Sequence, residues 1–202
     1  MPFSSYSELQ SAIAAWLGDD TLTDQIPDFI RLFEATAARR LRVRPAEKST
    51  TLTTSSGIAT LPNDFLAVRM LKWLGTSSSV VLDYVTPAYL DLAYPTALSG
   101  TPRHYTIQET ILKVRPVDDS ANLSLLYIAR TPALATQLQW LFNNHPDAYL
   151  FGSLCESEGF VVVDPARMAM WKARRDEIFA EILELDFFER ALPVPRVDGP
   201  VP

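Results

Sequence analysis

Between residues 48 and 131 the sequence changes its period, and that change constrains the fold more than any other feature. On either side, apolar residues recur at helical spacing. Inside it, short runs rich in Thr, Val and Ser alternate with turn residues. Such a chain is neither a uniform bundle nor a uniform sheet. The expected class is α+β: mainly an α-helical bundle built from both termini (1–47 and 132–191). It carries a β-rich antiparallel insertion (48–131) and an extended C-terminal tail (192–202).

The helical ends read clearly. Ser5 or Ser7 caps a helix from Tyr6 to Leu17, with Leu9, Ile13, Trp16 and Leu17 on one face and Gly18 at its end. A second helix is expected to start from a Thr23 cap and run to about Val43, with Ile26, Ile30, Phe33, Ala37 and Leu41 as its stripe. Pro27 sits in its first turn, where a missing N–H costs nothing, and Pro45 stops it. Past Pro132, Asn144-His145-Pro146-Asp147 opens a helical segment to about Phe160. Asp164-Pro165 opens the longest helix, to about Ala191. Met168, Trp171, Ile178, Ile182 and Leu185 form its stripe, widened by Phe179, Leu183 and Phe187. So wide a stripe implies burial on more than one side. The last eleven residues hold four prolines and read as extended chain.

In the middle block, Thr50–Thr54 and Ile58–Leu61 flank Ser55-Ser56-Gly57 as an expected hairpin. Phe65–Leu74 and Val80–Val85 bracket a second turn, and Tyr105–Ile107 and Ile111–Arg115 a third. Leu123–Ala129 is a further strand, and Thr86–Tyr94 a short helix begun at Pro87. The strands are short and joined by turns, so an antiparallel arrangement rather than βαβ units is expected.

Chemistry is hard to find. The net charge is −6, which argues against a surface built wholly to grip phosphates. The one cysteine, Cys155, makes no intrachain disulfide or Cys-based zinc cluster and reads as a buried thiol. His104 and His145 lack metal-ligand spacing, and no glycine-rich phosphate loop or nucleophile elbow exists. No cofactor and no metal are expected, and no catalytic residue is nominated. Glu156 with Glu158, or Asp118 with Asp119, would serve a hydrolase only across a sugar-lined cleft. No apolar run is long enough to span a membrane, and the start lacks a secretory pattern. The expected partners therefore include no membrane, and the chain is expected to be made in the cytoplasm. Arg39, Arg40, Arg42 and Arg44 end the second helix, where they complement its dipole or face a subunit interface or a channel. Arg174 and Arg175 stand beside Asp176 and Glu177. Fourteen of the 18 basic residues are arginine, the side chain suited to flat, bidentate pairing across interfaces.

Several stretches in order resemble one family. They are Asp20–Ile30 leading into Phe33-Glu34-Ala35, Leu61-Pro62-Asn63-Asp64-Phe65-Leu66, Gly100–Ile107 before Arg115-Pro116, Leu126–Leu134, Asn144–Gly152, and the long helix with Trp171. The chain is similar to the head-to-tail adaptor (head completion) proteins of tailed phages, the short-tailed type in particular. The resemblance implies a non-enzymatic subunit of the virion neck: a homo-oligomer, typically a dodecameric ring, docked on the portal protein. Such a ring extends the channel, joins tail or nozzle proteins, and lets genome DNA pass without sequence-specific binding. For portal docking it implies the long helix and tail, here Phe187, Phe188, Leu192, Pro193, Val194, Pro195, Arg196 and Val197. Arg39, Arg40, Arg42, Arg44, Arg174 and Arg175 are candidates for a subunit interface or the channel wall. The alternative is a cell-wall hydrolase acting as the phage enters its host.

Overall fold

A computed structural model of the chain describes residues 4–18, 22–76, 78–96, 98–137 and 139–190. The tail candidates Leu192, Pro193, Val194, Pro195, Arg196 and Val197 lie outside the described residues. Mixed α and β structure is what the sequence leads one to expect, and the described chain has six α-helices and two sheets. It divides into two compact units. One takes residues up to Pro45 and from Thr131 on; the other is Ala46–Arg130.

In the first unit, α1 (Tyr6–Leu17) opens on Ser5, whose extended backbone lets its Oγ accept the Glu8 N–H at 3.2 Å. The Glu8 carboxylate reaches back to the Ser4 N–H at 2.6 Å, a reciprocal cap that satisfies two donors at the helix start. Gly18, at φ 70, closes α1 in the left-handed region that glycine enters without strain. α2 (Ile26–Arg40) departs from expectation at both ends. Its cap is Gln25, not Thr23, and Gln25 makes no side-chain bond to the helix. Pro27 has already removed one of the donors a cap would serve. α2 also stops at Arg40, short of Val43. Leu41 and Val43 are both buried. Two residues apart is the spacing of extended chain, so burying both requires the helix to end.

α3 (Pro87–Ala93) belongs to the second unit. The first unit continues with α4 (Trp140–Asn144), α5 (Pro146–Glu156) and α6 (Pro165–Arg190). α4 is an addition to the expected helices: its five residues are too short to display a helical period. α5 is the middle of this unit. It packs against α1, α2, α4 and α6 and is buried on nearly every side from Ala148 to Cys155. Phe33 of α2 lies across it, its ring centroid 5.0 Å from that of Tyr149 and 6.1 Å from that of Phe179 on α6.

The second unit holds eight strands: β1 (Glu47–Thr53), β2 (Ile58–Thr60), β3 (Phe65–Leu74), β4 (Ser79–Val81), β5 (Asp83–Tyr84), β6 (His104–Gln108), β7 (Ile111–Arg115) and β8 (Asn122–Ala129). They make two four-stranded sheets, ordered β1-β8-β3-β4 and β2-β7-β6-β5. β3 and β4 pair across their turn, as do β6 and β7. The expected hairpin at Ser55-Ser56-Gly57 is only partly there. Its turn forms, with Ser56 and Gly57 at φ 52 and 70, but one Ser55–Ile58 bridge is all the pairing it makes. β8 takes β1 over its whole length, from Glu47↔Ile128 to Thr53↔Asn122, and β7 takes β2.

The antiparallel expectation also fails between one pair of strands. β5 runs parallel to β6, with Asp83 opposite His104 and Tyr84 opposite Tyr105, and α3 carries the crossover between them. Only buried Leu82 separates β4 from β5, so one strand passes from sheet to sheet. Its direction is set by β4 pairing with β3, and β5 inherits it. The sheets therefore join at both margins, through Leu82 at one and the Ser55–Ile58 bridge at the other. Their core is Leu71, Leu123, Leu125 and Tyr127 of the first sheet and Ala59, Tyr105, Leu112 and Val114 of the second. Tyr127 donates to Asp64 at 2.9 Å, and Lys48 donates to the same carboxylate at 2.7 Å. The Lys48 bond, aided by Tyr127, outweighs burial and holds the Asp64 carboxyl below the usual range.

Candidate docking surface

α6 has 26 residues and spans about 39 Å. Met168, Trp171, Ile178, Phe179 and Ile182 face the core and are buried. The rest of the expected stripe is not. Leu183 is 43% exposed, Leu185 59%, Phe187 67% and Phe188 60%. The wide stripe therefore does not mean burial on several sides within the unit. It has a buried face as far as Ile182, and beyond it an uncovered apolar end. The Phe187 and Phe188 rings sit edge to face, with centroids 6.1 Å apart. Side chains on either flank of a helix show the same apolar signal whether or not anything covers them, so sequence could not separate the two.

The six candidate arginines are mostly engaged within the first unit. Arg40 donates to Asp176 at 2.6 Å and lies 4.8 Å over the Phe179 ring. Arg175 reaches the same Asp176 oxygen at 3.1 Å, so α2 and α6 are joined through one carboxylate. Burial would raise the Asp176 carboxyl, but the Arg40 and Arg175 interactions outweigh it and hold it below its ordinary value. Arg174 pairs with Glu177 at 2.6 Å and lies 3.9 Å from Asp147. Arg39 donates to Thr36 at 3.1 Å. The Arg44 backbone N–H donates to Asp186 at 2.7 Å, and Arg42 is exposed. Exposed pairs of this kind are worth about 0–1 kcal/mol each. They fix side-chain positions more than they stabilise.

One polar cluster was not singled out from the sequence. The Glu34 carboxylate accepts the Leu134 N–H at 2.6 Å and Gln139 Nε2 at 3.4 Å. Tyr149 OH, 3.5 Å from Glu34, donates to Gln139 Oε1 at 2.8 Å. Glu34 thus ties α2, the 131–139 connection and α5 together. Nothing in spacing marks it, because the residues it joins are a hundred or more positions away. Burial pushes the Glu34 carboxyl above its ordinary 4.5, against the pull of these hydrogen bonds and of the Arg31 charge. The folded chain thus holds this proton more tightly than the unfolded chain. The stability it contributes is full below 4.5 and is lost as pH rises through the raised value. Wild type should therefore lose stability relative to Glu34→Gln as pH rises above 4.5, read from paired urea midpoints. A difference that does not change with pH would contradict this.

The family model described as SU10 adaptor protein matches residues 4–196. The chain belongs to the SU10 adaptor protein family. No curated protein matches it. An adaptor of this family is a structural phage protein, a component of the virion that meets other head or tail proteins. The match runs through the exposed end of α6 and into the proline-rich segment, taking in Leu192 to Arg196.

Of the four carboxylates considered from the sequence, three hold polar partners in the adaptor's own fold. Glu156 accepts from Thr36 at 3.2 Å, Glu158 pairs with Lys172 at 2.7 Å, and Asp118 accepts the Trp73 indole N–H at 3.0 Å. The cavities lined by Glu34, by Asp186 and by Glu158 each hold that one carboxylate. Burial pushes the Cys155 thiol up to about 11, so it is protonated at neutral pH and a poor nucleophile. His104 shares a 2.8 Å hydrogen bond with Tyr94. Among the described residues no group of His, Cys, Asp and Glu could hold a metal ion, and no helix is long and apolar enough to cross a membrane.

Proposed function

We propose that the adaptor is a subunit of the phage neck. It forms a ring, twelve copies by analogy with the proteins it resembles, that docks on the portal, continues the DNA channel and joins the capsid to tail or nozzle proteins. The observation that carries this reading is the end of α6, where Leu183, Leu185, Phe187 and Phe188 stand uncovered in the single chain. Clustered exposed apolar side chains mark interaction sites. The proline-rich segment that follows in sequence would bind with little loss of entropy.

The ring's inner wall should let DNA slide. Seven of the 18 basic residues already pair with the chain's own carboxylates, Arg40 and Arg175 on Asp176 among them. A wall of this composition would offer few strong phosphate contacts. The second unit is assigned to neighbouring subunits or tail components. The test of docking is co-sedimentation with the cognate portal. Phe187→Ser with Phe188→Ser should weaken binding by about a hundredfold or more, as loss of paired aromatic anchors does at other interfaces. Because both rings are exposed, the free subunit should keep its helical content. Unchanged co-sedimentation of a folded variant would remove the α6 end from the docking site.

A further inference from the structure

The exposed end of α6 is acidic as well as apolar. From Asp176 to Arg190 the sequence has six carboxylates and one arginine. Glu177, Glu181 and Glu184 follow at helical spacing and run as a ridge along the outward face, opposite buried Ile178 and Ile182. Leu183 and Phe187 flank the ridge on one side and Leu185 on the other, and Phe188 closes it. Carboxylates stacked in this way repel one another. They also sit in the half of the helix whose dipole favours cations. Among the described residues little relieves this. Arg174 serves Glu177 and, more weakly, Glu181. Arg190 is held by Asp186. Glu184 makes no hydrogen bond or ion pair among the described residues. A local conflict of this kind, left uncompensated among the described residues, is what a docking surface looks like before its partner arrives.

We infer that the partner surface for this end of α6 is an apolar groove with a basic rim, and that it belongs to another protein. The inference rests on the docking reading above and adds the chemistry of the partner. The charge of this chain argues against a second copy as the occupant. The adaptor carries a net −6, and Arg40, Lys48, Lys172, Arg174, Arg175 and Arg190 already close ion pairs within it. A groove rimmed by Lys or Arg would seat the phenyl rings and pair with the Glu181 and Glu184 carboxylates. Such rim charges act mainly on association rate and on its salt dependence.

The experiment is binding kinetics of the full-length adaptor on immobilised cognate portal rings, across a range of salt. Glu181→Lys with Glu184→Lys should slow association about tenfold and flatten or invert its salt dependence, with the Gln pair intermediate. Phe187→Ser with Phe188→Ser should lose affinity while keeping the wild-type salt slope. If the aromatic pair matters but reversed charges and salt do not, the basic rim is wrong and the docking reading stands. If the aromatic pair binds like wild type, both fall. If reversed charges change only self-association of the adaptor, the occupant is a second copy and the inference is overturned.

Discussion

Trp171→Ala lowers the stability of the helical unit by about 3–5 kcal/mol, the largest loss expected from any single truncation. Trp171 is fully buried in the first third of α6. Its ring belongs to the same core as Phe29, Phe33, Tyr149 and Phe179, and the Arg167 guanidinium lies 5.0 Å over it. Removing an indole leaves a hole that close-packed helices refill only in part. The second unit has its own core, so only part of the chain should respond. In urea, the transition followed by helical circular dichroism should move to lower concentration. Hydrogen exchange in β3, β7 and β8 should be preserved. A shift corresponding to under 1 kcal/mol would mean that α6 is held by something other than this face.

The second large effect comes from adding atoms. Gly152 lies on α5 where the Phe33 ring presses against the helix backbone, and a Cβ there would overlap that ring. Phe33 cannot step aside, being fully buried with Tyr149 and Phe179 against it. In an open helix Gly→Ala would gain up to about 1 kcal/mol of helix propensity. Here overpacking reverses the sign, and Gly152→Ala should cost about 1–3 kcal/mol net, with Gly152→Val costing more. Phe33→Leu, itself destabilising, should cost less in the Gly152→Ala background than in wild type. The coupling would appear in a double-mutant cycle of urea midpoints. Strict additivity of the two changes would contradict direct contact.

These two positions show what the sequence could and could not convey. Trp171 was legible, because it falls on a helical stripe with Met168 and Ile178. Gly152 was not: a lone glycine in an apolar helix looks the same whether it is tolerated or required. α1, α3, α6 and the strands β3, β7 and β8 lie close to where period and turn residues put them. The errors arose where pairing depends on distant partners. β1 left its hairpin for β8, and β5 turned parallel because β4 had already fixed its direction. At the docking end, the candidate residues Phe187 and Phe188 were legible as apolar. That Leu183 and Leu185 join them outside the core was not, because burial beyond Ile182 depends on where the neighbouring helices stop. The Glu34 cluster was invisible for the same reason: its partners are brought together only by the packing of α2 against α5.

The central claim, that the adaptor assembles as a ring on the portal, is tested most directly by mass photometry of the purified chain alone and with cognate portal rings. Twelve copies of 22.6 kDa should add roughly 270 kDa to each portal particle as a closed cyclic assembly. Deleting residues 192–202 should reduce or abolish that gain. A portal particle whose mass is unchanged at saturating adaptor would contradict the account.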